Sequence, residues 1–154
     1  RKKVELQVDA KAIKDLTNGY PLILKDAIVT NEVSIEEGSL LHLVDKNGGY
    51  IATGYYGAQN KGIGWVLSRK EKELIDVKFF AKKIREAAEK RADFFASEQT
   101  SAFRVFNGEG DGIGGFTIDF FNGFYMVSWY SEGIYSFREE IYEALKQAVN
   151  TRDE

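Results

Sequence analysis

The stretch VFNGEGDGIGGFTID, Val105 to Asp119, decides how the second half of the chain folds. Its Gly110, Gly112 and Gly115 stand in the G-x-G-x-x-G spacing that dinucleotide and adenosyl cofactors favour. A loop that binds a phosphate is followed at once by a helix, because the free N–H groups of the helix N-terminus hold the anion. Here FTIDFF follows, and its β-branched and aromatic residues favour a strand. The stretch therefore predicts a wide turn between strands.

Two acidic side chains inside the stretch also oppose a bound phosphate. Glu109 and Asp111 would place negative charge where a pyrophosphate has to approach. The same pair raises calcium as an alternative ligand, but the spacing lacks the later bidentate glutamate of a calcium-binding loop. We expect the glycines to supply the positive φ angles of a turn.

The residues around this turn predict an α/β unit over residues 71–154. The strand-like run SAFRVF precedes the turn, FTIDFF and FYMVSWY follow it, and Asn122-Gly123 between the last two is a strong hairpin signal. Helical spacing of apolar residues predicts a helix from Asp76 to Phe95. Ser136 and Glu139 form a capping-box pattern that predicts the start of a further helix.

Residues 1–70 predict a separate, mostly β unit. After a basic segment, KAIKDLTNG has the spacing of a short helix that stops at Asn18-Gly19. Four strand-like runs follow: YPLILKDAIV, SLLHLVD, YIATGYY and GIGWVLS. Strands this short, with no room for crossover helices, are typical of a small closed or partly closed barrel. The expected fold class is α+β, a small β-barrel followed by an α/β unit of helix, antiparallel strands and helix.

Composition indicates a compact protein with one domain or two small ones. The chain has 154 residues, 44% of them hydrophobic, and no apolar run approaches the roughly 20 residues of a membrane span. We expect a soluble, cytoplasmic protein with no membrane contact. Zero cysteines exclude disulfides, thiolate zinc sites and a cysteine nucleophile within this chain. His42 has no second histidine or cysteine with which to share a metal, so no metal site is expected.

Charge is distributed unevenly along the chain. The net charge is −3, yet residues 1–70 carry ten Lys or Arg against eight Asp or Glu, whereas residues 71–154 carry eleven against sixteen. A surface that contacts RNA is therefore expected on the first half. The excess is small, and an ordinary solvated face is the alternative interpretation.

Several segments resemble the PUA-containing family of ribosomal RNA (cytosine-5) methyltransferases. They are Gly19-Tyr20-Pro21, IATGYYGAQNKGIGWVLS, LIDVKFFAKKIREAAEKR and FRVFNGEGDGIGGFTIDFF. The last contains the specific pattern R-x-x-N-G-E-G-D-G-x-x-G-x-x-x-D, here Arg104 to Asp119. The resemblance covers nearly the whole chain. It implies a PUA barrel at 1–70 and a connecting domain at 71–154, which precede a Rossmann-like domain that binds S-adenosylmethionine.

The resemblance implies that this chain has no catalytic residue and no cofactor of its own. In this family, methylation at carbon 5 of cytosine uses a cysteine thiolate and a cofactor loop, both in the C-terminal domain. We expect an RNA-binding N-terminal portion of a 23S-type ribosomal RNA methyltransferase, inactive alone. Its expected partners are ribosomal RNA and the catalytic domain of the same protein, and S-adenosylmethionine is implied only for the full-length protein. Pairing into a homodimer stays open.

RNA contacts are expected where the short helix, the Gly-Tyr-Pro segment and the loop GAQNKG present polar groups. The expected residues are Lys11, Lys14, Gly19, Tyr20, Pro21, Gln59, Asn60 and Lys61. Lys11 and Lys14 would neutralise phosphates, Tyr20 would stack on an unpaired base, and the loop would offer hydrogen-bond donors. The alternative is that the tyrosines pack in the barrel core and the lysines are merely solvated.

The polar residues of the glycine-rich pattern have a different expected role. They are Arg104, Asn107, Glu109, Asp111 and Asp119. We hypothesise that they fix the hairpin of the connecting domain and face the catalytic domain near its substrate entrance. The chain departs from the family at Gly19-Tyr20-Pro21-Leu22, where relatives commonly have Gly-His-Pro-Trp or Gly-Arg-Pro-Trp.

A stand-alone two-domain module that binds another protein, with no RNA role, is the alternative function. Exposed strand edges or a tyrosine-rich surface would carry it. A small hydrolase has little support, because no Ser or Asp lies in a convincing nucleophile setting and one histidine is available. A longer reading frame containing a cofactor loop and a cysteine would favour the methyltransferase.

Overall fold

The computed structural model describes residues 1–30, 34–58, 61–97, 99 and 101–149, and the chain forms two compact units. The first unit contains Arg1–Glu73 and Ser131–Ser136, and the second contains Leu74–Tyr130 and the chain from Phe137. Helices and strands occur together, so the expected α+β class is confirmed. Within the described residues, none of the helices combines the length and apolar character that crossing a bilayer requires.

The first unit is built on a five-stranded sheet in the order β1-β3-β4-β5-β2. Its strands are β1 Lys3–Gln7, β2 Leu22–Leu24, β3 Leu40–Val44, β4 Tyr50–Tyr56 and β5 Gly62–Ser68, and its first helix is α1, Ala10–Thr17. β1 pairs in parallel with β3, whereas the other neighbours are antiparallel. The core between α1 and the sheet contains Leu6, Val8, Leu16, Ile23, Leu41, Leu43, Ala52 and Val66. β1 was not predicted, because its segment was recognised only as basic.

The strand pairing does not confirm the expected closed barrel. β1 and β2 lie at the two edges of the sheet, and the bridge between Val8 and Ile28 is an isolated one outside the named strands. β2 is short because the chain turns into a 3-10 helix at Lys25–Ala27. The predicted strand YPLILKDAIV therefore contributes only Leu22–Leu24 to the sheet.

The second unit pairs helices with a three-stranded antiparallel sheet in the order β6-β7-β8. The strands are β6 Ala102–Asn107, β7 Phe116–Phe121 and β8 Phe124–Trp129, and the helices are α2 Val77–Lys90, α3 Ala92–Ala96 and α5 Arg138–Val149. The predicted hairpin is confirmed: Asn122 has φ 46°, Gly123 has φ 90°, and Phe121 pairs with Phe124 across the turn. Buried side chains of the sheet and helices include Phe80, Ile84, Phe106, Phe116, Ile118, Phe137 and Ile141.

The predicted helix from Asp76 to Phe95 is interrupted in the structure. Asp76 caps it as expected by accepting a hydrogen bond from the Phe79 amide at 3.0 Å. The first helix then ends at Lys90, and Arg91, with φ −111° and ψ 22°, separates α2 from α3. The Arg91 guanidinium bonds back to the Ala87 carbonyl at 2.9 Å, which satisfies a carbonyl at the helix end.

The predicted capping role of Ser136 is wrong. Its backbone is helical, with φ −62° and ψ −17°, and its hydroxyl donates to the Gly133 carbonyl at 2.6 Å. Ser136 thus ends a short helix, α4, Glu132–Tyr135, whose start is capped by Ser131. Gly133 of this helix packs in the first unit, where an added Cβ would clash with the Tyr56 carbonyl oxygen.

Candidate nucleic-acid interface

The α1–β2 loop, residues 18–21, follows helix α1. Local sequence specifies both ends of that helix. Asp9 caps α1 by accepting a hydrogen bond from the Ala12 amide at 2.8 Å. At the other end Gly19 adopts φ 100°, a value that glycine reaches without strain. The Tyr20 amide then donates to the Asp15 carbonyl at 2.9 Å. The chain therefore folds back, and Tyr20 lies beside the last turn of α1.

Arg69 fixes this loop from a distant part of the sequence. Its Nε donates to the Leu16 carbonyl at 2.9 Å, and its Nη2 donates to the Tyr20 carbonyl at 3.2 Å. The Leu16 carbonyl lies in the last turn of α1, where carbonyls lack intrahelical partners, and the Tyr20 carbonyl lies in the loop that follows. Sequence reasoning missed Arg69, because its acceptors lie 53 and 49 residues earlier and no local pattern announces the contact.

A pocket of about 170 Å³ opens between α1 and β2. Lys11 and Tyr20, two of the predicted RNA-contacting residues, contribute to its wall. Three acidic residues also line it, Asp9, Asp15 and Asp26, and most of the remaining wall is apolar. The Tyr20 side chain is 43% exposed, so it lies at the mouth of the pocket rather than in the core. The fold therefore brings carboxylates to the surface on which the sequence predicts only cations and an aromatic ring.

Among the other predicted RNA-contacting residues, Lys14, Pro21 and Lys61 do not line this pocket. Lys14 is exposed on α1. Pro21 anchors the strand entrance, since its carbonyl accepts a hydrogen bond from the Val66 amide at 2.8 Å. Lys61 is exposed, and its carbonyl accepts from the Lys25 amide at 3.0 Å, which adds a second lysine beside it. The predicted Gln59 and Asn60 lie outside the described residues.

The glycine-rich turn, residues 107–115, runs from strand to strand as predicted. It begins with a 3-10 helix, Gly108–Asp111, and leads into β7. Gly112 and Gly115 adopt φ 102° and 107°, which glycine alone reaches readily. No helix N-terminus follows the turn to present free amides to a ligand, so these residues do not fit an S-adenosylmethionine loop.

Asp111 ties the glycine-rich turn to the end of α2. Its side chain is 3% exposed, and its two oxygens accept hydrogen bonds from Arg91 Nη1 and Nη2 at 3.2 and 2.9 Å. The Asn107 amide donates to the same carboxylate at 2.7 Å, and Lys90 Nζ lies 3.6 Å from it. The carboxylate thus has its partners inside the second unit. Sequence reasoning selected Asp111 but missed Arg91.

Arg104 and Asp119 form a second polar pair, across β6 and β7. Arg104 Nε donates to Asp119 Oδ1 at 2.9 Å, and Arg104 Nη1 lies 3.4 Å from Asn107 Oδ1. Hydrogen bonding to Asp119 raises the pKa of the Arg104 guanidinium above its usual value. Glu109 is exposed, and its carboxylate has no hydrogen bond or ion pair with the described residues. The predicted role of these residues toward a catalytic domain remains a prediction.

His42 lies on β3, half-buried, with its ring 4.9 Å from the ring of Tyr50. Within the described ranges, no three His, Asp or Glu side chains gather in a group able to hold a metal ion.

Comparison with known proteins identifies a domain in the first unit. Residues 6–69 match the model of the PUA-like domain family. Over 86% of its length the chain is 47% identical to YwbD of Bacillus subtilis, a protein named as a ribosomal RNA large subunit methyltransferase, and covers 34% of that protein. It is 30% identical to ribosomal RNA large subunit methyltransferase I of Klebsiella pneumoniae, of which it covers 33%.

Solved structures agree with this relationship. A structure from Streptococcus mutans described as a SAM-dependent methyltransferase matches 94% of the chain with a TM-score of 0.83 and 33% identity. A second, SMU.776 complexed with SAH, matches 96% with a TM-score of 0.82 and 32% identity. The chain spans about a third of the length of the curated relatives it matches. Residues 6–69 thus form a PUA-like domain in a chain whose homologues are ribosomal RNA large subunit methyltransferases.

Proposed function

We propose that this chain is the RNA-binding N-terminal portion of a SAM-dependent methyltransferase that acts on carbon 5 of a cytosine in 23S-type ribosomal RNA. The observation that carries the proposal is the PUA-like domain at residues 6–69 in a chain similar to ribosomal RNA methyltransferases. In this proposal residues 1–70 are a PUA barrel that binds ribosomal RNA. Residues 71–154 connect it to a catalytic domain, which supplies the nucleophile and the S-adenosylmethionine site in the cytoplasm.

The geometry around α1 supports RNA contact through phosphates and one aromatic ring. Lys11, Lys14 and Lys61 are exposed, and none of them forms an ion pair with a described residue. Each cation that meets a phosphate releases condensed counterions, so binding should weaken as salt rises. Tyr20 is exposed at the loop and can stack on an unpaired base.

Titration of fluorescent single-stranded ribosomal RNA fragments against the chain at several salt concentrations tests this proposal. The variant Lys11→Glu/Lys14→Glu/Lys61→Glu is expected to bind more weakly than the parent. The slope of log affinity against log salt should fall by about 2, since each lost phosphate contact removes about 0.7 from it on a single strand. Lys46→Glu, at an exposed lysine in the turn after β3, makes the same charge change as Lys11→Glu alone, and as the control for that single variant it should bind like the parent.

RNA affinity that does not depend on salt, or that is equal in the parent and the triple variant, would leave the lysines as ordinary solvated groups. The methyltransferase part of the proposal is tested separately with the full-length protein, ribosomal RNA and labelled S-adenosylmethionine. Label at carbon 5 of a cytosine is the expected product.

The protein-interaction alternative has one observation in its favour. Strand β8 lies at an edge of its sheet, and Phe121, Phe124, Met126 and Tyr130 are 60% to 75% exposed on and beside it. An apolar group of this kind is more typical of a binding surface than of a solvated one. If the chain shows no RNA affinity, we expect Phe124→Ser to reduce self-association in sedimentation measurements.

A further inference from the structure

The pocket between α1 and β2 has the size of one ring system. Its volume is about 170 Å³, and an engineered cavity of about 150 Å³ in another protein accepts benzene. A whole nucleotide would not fit, so a ribose and phosphate would have to remain outside. The pocket therefore suits a single planar group that enters from the surface.

The wall of the pocket favours a flat apolar face. Ala12, Leu16, Leu22 and Ile23 supply aliphatic surface, and Tyr20 lies at the mouth. Two hydrogen bonds hold the main chain of Tyr20, from its own amide to Asp15 and from Arg69 to its carbonyl. A loop whose main chain is already fixed loses less conformational freedom when its side chain stacks on a ligand.

The carboxylates of the pocket favour a ligand that carries hydrogen-bond donors. The Asp9 carboxylate is occupied as the cap of α1, but Asp15 and Asp26 have no hydrogen bond or ion pair with the described residues. An ionised carboxylate only accepts hydrogen bonds. The two acidic groups therefore repel a phosphate and favour a ligand that offers N–H groups.

Among the RNA bases, guanine matches this arrangement best. Its Watson–Crick edge carries two adjacent donors, N1–H and the 2-amino group, whereas adenine and cytosine place a ring acceptor beside their amino group. The acceptors O6 and N7 of guanine are the atoms that lysine commonly contacts, and Lys11 lines the same pocket. In a base pair these donors are occupied, so the guanine has to be unpaired.

We propose that this pocket binds one unpaired guanine of an RNA strand, with Asp15 and Asp26 accepting from its Watson–Crick edge, Lys11 donating to its acceptor edge, and Tyr20 stacking at the mouth. This inference rests on the proposed RNA-binding function and names the base that the same surface reads. With Lys11 on the base, the phosphate contacts are left to Lys14 and Lys61, which lie outside the pocket wall, and the salt slope of the triple lysine variant should then fall by about 1.4.

Anisotropy titrations of the full chain with uridine heptamers that carry one central G, inosine, A or C test the proposal. We expect the G heptamer to bind about tenfold more tightly than the A or C heptamer, the discrimination that a good bidentate contact supplies. Inosine lacks the 2-amino group and should lose several-fold in affinity. This comparison uses only the parent chain and does not depend on how a variant folds.

The variant Asp15→Asn/Asp26→Asn should reduce the preference for G over A and C to less than twofold, whatever change in affinity the loss of two negative charges brings to every strand. Asp93→Asn, an exposed acid in the second unit, makes the same kind of change and should keep the preference. Equal binding of the four heptamers, or a preference that survives in the double variant, overturns the guanine pocket while RNA binding stands. Failure of every RNA to bind overturns both proposals.

Discussion

The α1–β2 loop and the glycine-rich turn use polar residues in opposite ways. In the loop, Tyr20 is 43% exposed and the backbone is held by hydrogen bonds from elsewhere, which leaves the side chain available. In the turn, the Asp111 side chain is 3% exposed and is bound by Arg91 and by the Asn107 amide. The loop thus leaves side chains available to a ligand, whereas in the turn the Asp111 carboxylate is bound by groups of its own unit.

This difference teaches that a distinctive sequence pattern does not by itself mark a ligand site. The glycine-rich turn resembles a cofactor motif, yet its glycines adopt the positive φ angles of the turn, and Asp111 forms an ion pair with Arg91 inside the same unit. The α1–β2 loop has no such pattern, yet it borders the pocket between α1 and β2. What separates the two is whether neighbouring elements supply partners for the polar groups.

Of the substitutions that test this comparison, Asp111→Ala should cause the largest loss of stability. The change leaves the Arg91 guanidinium, whose side chain is only 20% exposed, without its carboxylate, and removes the acceptor of the Asn107 amide. Breaking such a pair by deleting one partner is costly, and we expect the free energy of unfolding to fall by about 3 kcal/mol. Urea denaturation followed by circular dichroism measures it. Glu109→Ala, in the same turn but exposed, should change stability by less than about 0.5 kcal/mol.

Substitution of the glycines of the turn should have an intermediate effect. Gly112 has φ 102°, and an alanine there should cost about 1 to 2 kcal/mol of stability, because a side chain is strained in the left-handed region. Gly110 does not have a positive φ, and an added Cβ would lie 3.5 Å from Asn107 Nδ2, an ordinary contact. Gly110→Ala is therefore the matched control and should be nearly neutral. Thermal melts of both variants measure this difference in stability. Equal losses of stability in the two variants would contradict the assigned turn geometry.

Of the three test substitutions, Arg69→Ala should reduce stability least, and it should have a larger effect on binding. Two hydrogen bonds at a partly solvated site are lost, and we expect about 1 kcal/mol less stability. Because the loop loses its fixed position, RNA affinity should fall several-fold. Arg69→Lys keeps the charge but lacks the guanidinium fork and should not restore affinity fully. Full recovery in the lysine variant would show that the charge, rather than the loop geometry, matters.

Local signals in the sequence were sufficient for most elements of the second unit. The strand character of FTIDFF and the Asn122-Gly123 pair predicted β7 and the hairpin, since β-propensity and turn chemistry are short-range. The break of the long helix at Arg91 was not predictable in this way. Arg91 leaves the helix where its guanidinium meets Asp111, 20 residues later, and such a contact exists only after folding.

In the candidate interface, too, some features could be predicted from local sequence and others could not. Lys11 and Tyr20 were selected from the sequence, because a cation on a short helix and an aromatic residue just after its stop signal can be recognised from residue type and position. Their meeting with Asp15 and Asp26 in one pocket was not, because α1 and β2 have to pack first. Neighbouring residues alone were enough to place the cap at Asp76, the hairpin turn and the apolar helix faces, whereas the cap expected at Ser136 was wrong. Only the tertiary structure decided which polar groups found partners and which stayed free, because those contacts join residues that are distant along the chain.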